Sequence, residues 1–354
     1  MTREVKKKRI KQILNAVFLV IVIGLTAWLF LRDQDLKGIV KELSEIRPVY
    51  LLAGAAIVVL FVCSESLIMK ILLKTAKSDQ PLRNCIPISF VGFFYSMVTP
   101  SASGGQPMQV YYLRRNGVRV GTASAVLLII TIEYKMVLIL IGLFLMVFCR
   151  GLMQSLDPSV RVLFTIGYIL NVVFVAGLST LVFMPRLAHR LVKWLFGKLS
   201  RIRALHLTEA RLQRVEDSMD LYHDAVGLIR GHIPAIVGTQ ILTVLQRLLM
   251  FSLTYVVYIA LEMRGTQLFP ILGRQAVVSI GSDMLLTPGG MGFAEFIYMR
   301  NFEPVFGSEL MTTASLAMSR GFSYYFLVMI SGIVTFGVRI YMTVRKHRRK
   351  ETEG

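Results

Sequence analysis

The sequence predicts an all-α polytopic membrane protein with six transmembrane helices and two re-entrant broken hairpins. These form an inverted repeat with both termini cytoplasmic. Three observations carry this expectation. Six apolar stretches, about 13–31, 49–69, 122–148, 162–184, 233–261 and 311–338, have the length needed to cross a hydrocarbon core of about 30 Å. Two shorter apolar stretches, 86–98 and 271–286, each run into a Pro/Gly break. Basic residues alternate in density between successive connections.

The first stretch follows Arg3, Lys6, Lys7, Lys8, Arg9 and Lys11. Its apolar run is too long for a signal-peptide core, so it reads as an uncleaved first span behind a basic cytoplasmic segment, 1–12. Stretch 49–69 follows as the second span. The 86–98 stretch ends in Thr99-Pro100-Ser101-Ala102-Ser103-Gly104-Gly105-Gln106-Pro107, and a mixed apolar stretch follows at 108–113. Thirteen helical residues reach only about 20 Å, so a hairpin that enters and leaves by one face fits better than a crossing. Spans 122–148 and 162–184 come next.

Segment 186–230 is basic. Leu187, Leu191, Trp194, Leu195, Leu199 and Ile202 share one helical face, which suits an anionic inner leaflet or a packed cytoplasmic loop. Thr208 is placed to cap a second helix with an apolar line at Leu212, Val215, Met219, Tyr222, Val226 and Ile229. Span 233–261 leads to the second broken hairpin. There Thr287-Pro288-Gly289-Gly290-Met291-Gly292 separates 271–286 from 293–299. Span 311–338 closes a membrane domain over 13–340, with half one at 13–148 and half two at 162–340. A basic tail, 341–354, follows.

Aligning the two Gly-Gly pairs also aligns Arg115-Asn116 with Arg300-Asn301, at an offset of 185 residues. The N-terminus, the loops 70–83 and 114–119, the 186–230 segment and the tail hold 27 Lys and Arg; the loops 32–47, 150–161, 262–274 and 300–310 hold 9. The richer set is cytoplasmic by the positive-inside rule. The first hairpin then dips from the cytoplasm and the second from outside, and the halves are inverted. Such paired, interrupted segments point to a transport site near the midplane.

Composition agrees. Hydrophobic residues make up 55% of the 354 and charged residues 17%, against roughly 25% charged in soluble domains. The net charge of +19 lies between spans, which implies anionic headgroups rather than nucleic acid as the partner. Cys63, Cys85 and Cys149 have no metal or disulfide spacing. Walker A, H-E-x-x-H and G-x-S-x-G signatures do not occur. No metal, cofactor or catalytic residue is expected.

Ionisable residues within apolar segments are costly and therefore informative. The acids are Glu65, Glu133, Asp283 and Glu295; the bases are Lys135, Arg247 and Arg320. Lys135 and Arg320 are equivalent at the 185 offset. The bases are candidate phosphate ligands, and the acids are candidate partners or proton carriers; interhelical ion pairing is the structural alternative. Ser103, Gln106 and the backbone at Gly104, Gly105, Gly289, Gly290 and Gly292, bounded by Pro100, Pro107 and Pro288, are candidates to hold a headgroup. Helix N-termini after glycine present free N–H groups.

Pro100 to Pro107 with the following Tyr-Leu-Arg, Glu133, and Pro288-Gly289-Gly290-Met291-Gly292-Phe293-Ala294-Glu295 resemble the flippase-like membrane domain of lysylphosphatidylglycerol synthases (multiple peptide resistance factors). The resemblance covers about residues 10 to 340. Gln106 stands where members of that family often have an acid. It implies an inner-membrane flippase that moves an anionic, aminoacylated or polyprenyl-linked lipid between leaflets, with its headgroup between the two broken loops. Two other roles stay open: a membrane transferase acting on phosphatidylglycerol, and a non-catalytic partner of a cytosolic synthase. The cytosolic aminoacyltransferase domain of the two-part synthases is not expected in this chain. A homodimer is compatible with all three readings.

Overall fold

The computed structural model describes residues 41–352, apart from 42, 100–101, 185–208 and 284–291. In order, the helices are α1 (Pro48–Thr75), α2 (Leu82–Val98), α3 (Gly105–Arg115), α4 (Val120–Phe148), α5 (Arg150–Ser155), α6 (Pro158–Phe183), α7 (Glu209–Arg230), α8 (Ile233–Ala260), α9 (Leu268–Ser282), α10 (Phe293–Phe306) and α11 (Glu309–Arg320). A π-helical segment, Gly321–Phe326, joins α11 to α12 (Leu327–Thr352). Among the described residues there is no strand. Five helical stretches are long and apolar enough to cross a membrane: Pro48–Thr75, Val120–Phe148, Pro158–Thr180, Ile233–Ala260 and Glu309–Ile340. These match five of the six expected spans. The sixth, 13–31, lies outside the described residues, as do the basic N-terminus and the amphipathic face from Leu187 to Ile202.

Local chemistry sets the helix ends. Pro48, Pro158 and Pro234 sit in first turns, where the missing N–H has no helical partner to lose. Asp157 caps α6 by accepting the Ser159 N–H at 2.8 Å. Together with the Ser159 hydroxyl, that bond holds its carboxyl below the usual carboxylate range. Ser308 caps α11 through the Met311 N–H at 3.2 Å.

The repeat is visible in the backbone. Pro48–Thr75 and Ile233–Ala260 coincide end to end at the 185-residue offset. These two helices pack against each other and run antiparallel. The start of α1 meets the end of α8 through Arg47 and Glu262, 3.8 Å apart. At mid-helix the buried Gln246 amide donates to the Phe61 carbonyl at 2.9 Å. Phe61 and Gln246 are themselves 185 residues apart. A residue that touches its own repeat counterpart marks the pseudo-two-fold axis between the halves.

Each half also carries a short helical hairpin, α2 with α3 and α9 with α10. With 17 and 15 residues, α2 and α9 reach about 25 and 22 Å, less than a bilayer core. Small residues let α2 and α3 approach closely. A Cβ on Gly105 would strike Ser96 and the Gly92 carbonyl, and one on Gly92 would strike the Gln109 side chain. Gln109 in turn donates to Glu65 at 3.1 Å. Gly92→Ala is therefore expected to expel Gln109 and cost about 1–3 kcal/mol, read as a lower thermal midpoint in detergent. Adding Gln109→Ala should restore most of the loss.

Two expectations need correction. The second leg of the second hairpin runs to Phe306, not 299, and the left-handed Gly307 (φ +77°) ends it. Arg300-Asn301 is thus inside α10, whereas Arg115 ends α3 and Asn116 follows it. Asn301 is held in the helix by Arg274, whose guanidinium donates to its carbonyl (2.7 Å) and side-chain oxygen (2.9 Å), while its amide donates back to the Arg274 carbonyl at 2.8 Å. The last span is not one α-helix, because it widens into the π segment. Helix also continues through most of the basic tail, to Thr352.

Candidate functional site

Two ion pairs and one guanidinium occupy the interior between the spans. Lys135, from the middle of α4, pairs with Asp283 at the end of α9, and both side chains are about nine-tenths buried (9% and 11% exposed). The neighbouring Tyr134 hydroxyl donates to the other Asp283 oxygen at 2.5 Å. Both carboxylate oxygens are thereby engaged. Arg247, from α8, stacks on the Tyr134 ring at 3.8 Å and faces Phe61 at 5.0 Å. Arg247 makes no ion pair among the described residues, and its buried Nε has no hydrogen-bond partner.

Arg320 ends α11 and pairs through Nε with Glu295 Oε1 at 2.8 Å. Glu295 is in the first turn of α10, and its Oε2 accepts the Gly292 N–H at 2.6 Å. Gly292 has φ +88°, a conformation that costs glycine nothing. The π segment begins directly after Arg320. Such wide turns concentrate at functional sites, and this one presents Arg320 and Ser323 to the same space.

That space is a cavity of about 170 Å³ lined by Arg247, Ser279, Ser282, Tyr298, Ser319 and Arg320, among others. Every lining residue belongs to the second half: α8, α9, α10, α11 and the π segment. Two guanidiniums beside several hydroxyls form a donor-rich setting suited to an anionic oxygen cluster.

The expected ligands therefore fall into separate places. Arg247 and Arg320 share the cavity, while Lys135 is engaged by Asp283 outside its lining. Asp283 and Glu295 hold cations. Glu65 meets Gln109, and Glu133 lies 2.6 Å from the Thr239 hydroxyl with its second oxygen buried and unbonded. In the first loop, the Gly104 N–H is taken by the Thr99 hydroxyl at 2.8 Å. Gly105 is buried against α2. Gln106 is exposed and donates to Thr131 on α4, and Ser103 and Pro107 are exposed. Pro100, Pro288, Gly289 and Gly290 lie outside the described residues.

Sequence reasoning missed Gln275, Ser279, Ser282, Tyr134, Tyr298, Ser319 and Ser323. A signal was present. Gln275, Ser279 and Ser282 fall at helical spacing on an apolar helix, as do Ser315, Ser319 and Ser323. Polar stripes of this kind mark an interior wet face.

With this geometry established, comparison adds a family. The family model described as "Lysylphosphatidylglycerol synthase TM region" matches residues 15–331. No curated protein matches the chain.

Proposed function

Since the chain belongs to the lysylphosphatidylglycerol synthase TM region family, we propose that this multi-pass membrane protein translocates a phospholipid between leaflets. The headgroup enters the polar interior, Arg247 and Arg320 hold its phosphate, and the acyl chains stay in lipid. The observation that carries the reading is the cavity between the spans, lined by a guanidinium stacked on Tyr134 that makes no ion pair among the described residues.

In this reading six crossings place both termini inside an inner cell membrane, and the short hairpins dip from opposite faces. Antiparallel α1 and α8 support that inversion, which gives alternating access a structural basis. Glu65 and Glu133, which make no ion pair among the described residues, are the acids available to carry a coupled proton.

The test is a proteoliposome assay of fluorescent phosphatidylglycerol exposure. Removing one member of a buried charge pair costs about 2–5 kcal/mol. Arg247→Gln and Arg320→Gln are therefore expected to slow transfer about 30-fold or more, and Lys at either position to restore part of it. Equal rates in protein-containing and empty vesicles would dispose of the proposal.

A further inference from the structure

Three consecutive residues of α4 reach across to the second half. Tyr134 and Lys135 meet Asp283, and Glu133 meets Thr239 of α8. Gln240, the next residue of α8, donates to the Glu133 backbone carbonyl at 3.4 Å. Opposite charge explains the contacts of Lys135 and its neighbour Tyr134 with Asp283. Glu133 is a different case. It is 4% exposed, makes no ion pair among the described residues, and its Oε2 is buried without a hydrogen-bond partner.

A count of hydrogens decides its charge. The Thr239 hydroxyl oxygen lies 2.6 Å from Glu133 Oε1, 2.8 Å from the Ala235 carbonyl and 3.1 Å from the Ile236 carbonyl. If Glu133 were ionised, all three neighbours would be acceptors, and the hydroxyl has one hydrogen to give. The carboxylate would keep at most that one bond, with its other oxygen bare in a buried site, a costly arrangement. A protonated Glu133 resolves the count. Its O–H donates to Thr239 Oγ1, and the Thr239 hydroxyl donates to the Ala235 carbonyl, the bond that threonine commonly makes within a helix.

Among the described residues, no charge on the helices packed against α4 replaces that proton. Glu65 of α1 meets Gln109, and Lys70 lies beside Cys85 of α2. On α9, Arg274 holds Asn301 and Asp283 is held by Lys135. Arg247 of α8 is eight residues beyond Thr239, about 12 Å of helix. Lys74, Arg114, Arg115, Arg150, Arg161, Asp217, Asp220, Asp224 and Arg230 are exposed. His223 rests edge-on against Tyr222. Tyr112, Tyr168 and Tyr222 carry phenols, which are neutral below about pH 10.

The contact is placed to respond to movement. Thr239 is seven residues from Gln246, about 10 Å of helix from the pseudo-two-fold axis. At the 185-residue offset Glu133 and Thr239 correspond to Met318 and Gly54, neither of which can hold a proton. An exchange of shapes between the halves therefore breaks this bond without making an equivalent one. A site that binds its ligand differently in two states couples that ligand to the change.

From these observations we propose that Glu133 is a proton-binding site, a neutral carboxylic acid whose proton ties α4 to α8 in the described conformation. Resting on the translocation reading, release of this proton accompanies the exchange that carries the lipid, so the proton is the coupling ion.

The test reads the proton apart from transport. Infrared spectra of the full chain in bilayers at neutral pH are expected to show the C=O stretch of a protonated carboxylic acid that Glu133→Gln removes. Thr239→Val should keep this band and shift it, because the acid loses its acceptor. In proteoliposomes with the membrane potential clamped, a gradient of one pH unit is expected to bias fluorescent phosphatidylglycerol about tenfold toward one leaflet, at one proton per lipid. Glu133→Gln should abolish the bias, while Glu133→Asp and Glu65→Gln keep it. Melting midpoints report whether each variant folds.

A Glu133→Gln spectrum identical to the wild type overturns the inference, as does a band that Thr239→Val leaves in place. So does translocation whose leaflet ratio ignores the gradient, or a Glu133→Gln variant that still follows it. A band that depends on Glu133 and Thr239, without translocation under any gradient, would leave the proton site standing and the translocation reading fallen.

Discussion

Lys135→Met is expected to be the most damaging single substitution in the interior, lowering stability by about 3–5 kcal/mol. It leaves the Asp283 carboxylate charged in a site where the pair is about nine-tenths buried. Asp283 also follows the last residue of α9, where the negative end of the helix dipole disfavours an anion. Lys135 offsets both effects, and the Tyr134 hydroxyl alone does not. A well-packed apolar replacement of the whole pair is often neutral or better. Lys135→Met combined with Asp283→Leu should therefore regain most of the loss. Detergent thermal melts of the two singles and the double decide this. If the Lys135 single melts with the wild type, the pair contributes little and the account of the interior is wrong.

Gly167→Ala should be the next most damaging. A Cβ at Gly167 would run into the Ile280 carbonyl oxygen and approach the Gly281 Cα at 3.0 Å. These atoms are backbone, so no rotamer change relieves the clash; α6 and α9 must separate. Overpacking of this kind costs about 1–3 kcal/mol and occasionally more. The displaced helix also ends at Asp283, so the disturbance reaches the buried pair. Gly177, on the same helix, faces open space. Gly177→Ala should be neutral, or gain up to about 1 kcal/mol from helix propensity. A similar melting shift at both positions would show that the close approach of α6 and α9 does not limit stability.

The fold was legible in the sequence where burial follows simple periodicity. Stretches 49–69, 122–148 and 233–261 are helices because no Pro/Gly cluster like those at 99–107 and 287–292 breaks them, and the Gly104-Gly105 break begins a helix as expected. The Tyr222, Val226 and Ile229 line correctly foretold α7, whose Val226 and Ile229 are buried. What failed depends on tertiary partners. The π segment at Gly321 changes the hydrogen-bond register without changing hydropathy, so the side-chain pattern carries no trace of it. Arg300-Asn301 repeats Arg115-Asn116 in letters, but only the second pair has an Arg274 to hold it within a helix. The candidate site was half legible. Lys135 and Arg320 are equivalent cations, and that symmetry concealed their difference. One is neutralised at a helix end; the other is oriented into a cavity by Glu295. Which counter-ion a cation meets is decided by how α9 and α10 fold back, and no local pattern encodes that.

The contact between Phe61 and Gln246 gives the molecule a natural origin. If the halves trade shapes by rotating about the line through that amide, displacement grows with distance from it. The middle of α1 then stays nearly still while its two ends, the Arg47–Glu262 rim among them, travel further. Side chains at the centre are free to specialise, with an aromatic on one strand of the duplication and an amide on the other, because little sliding takes place there.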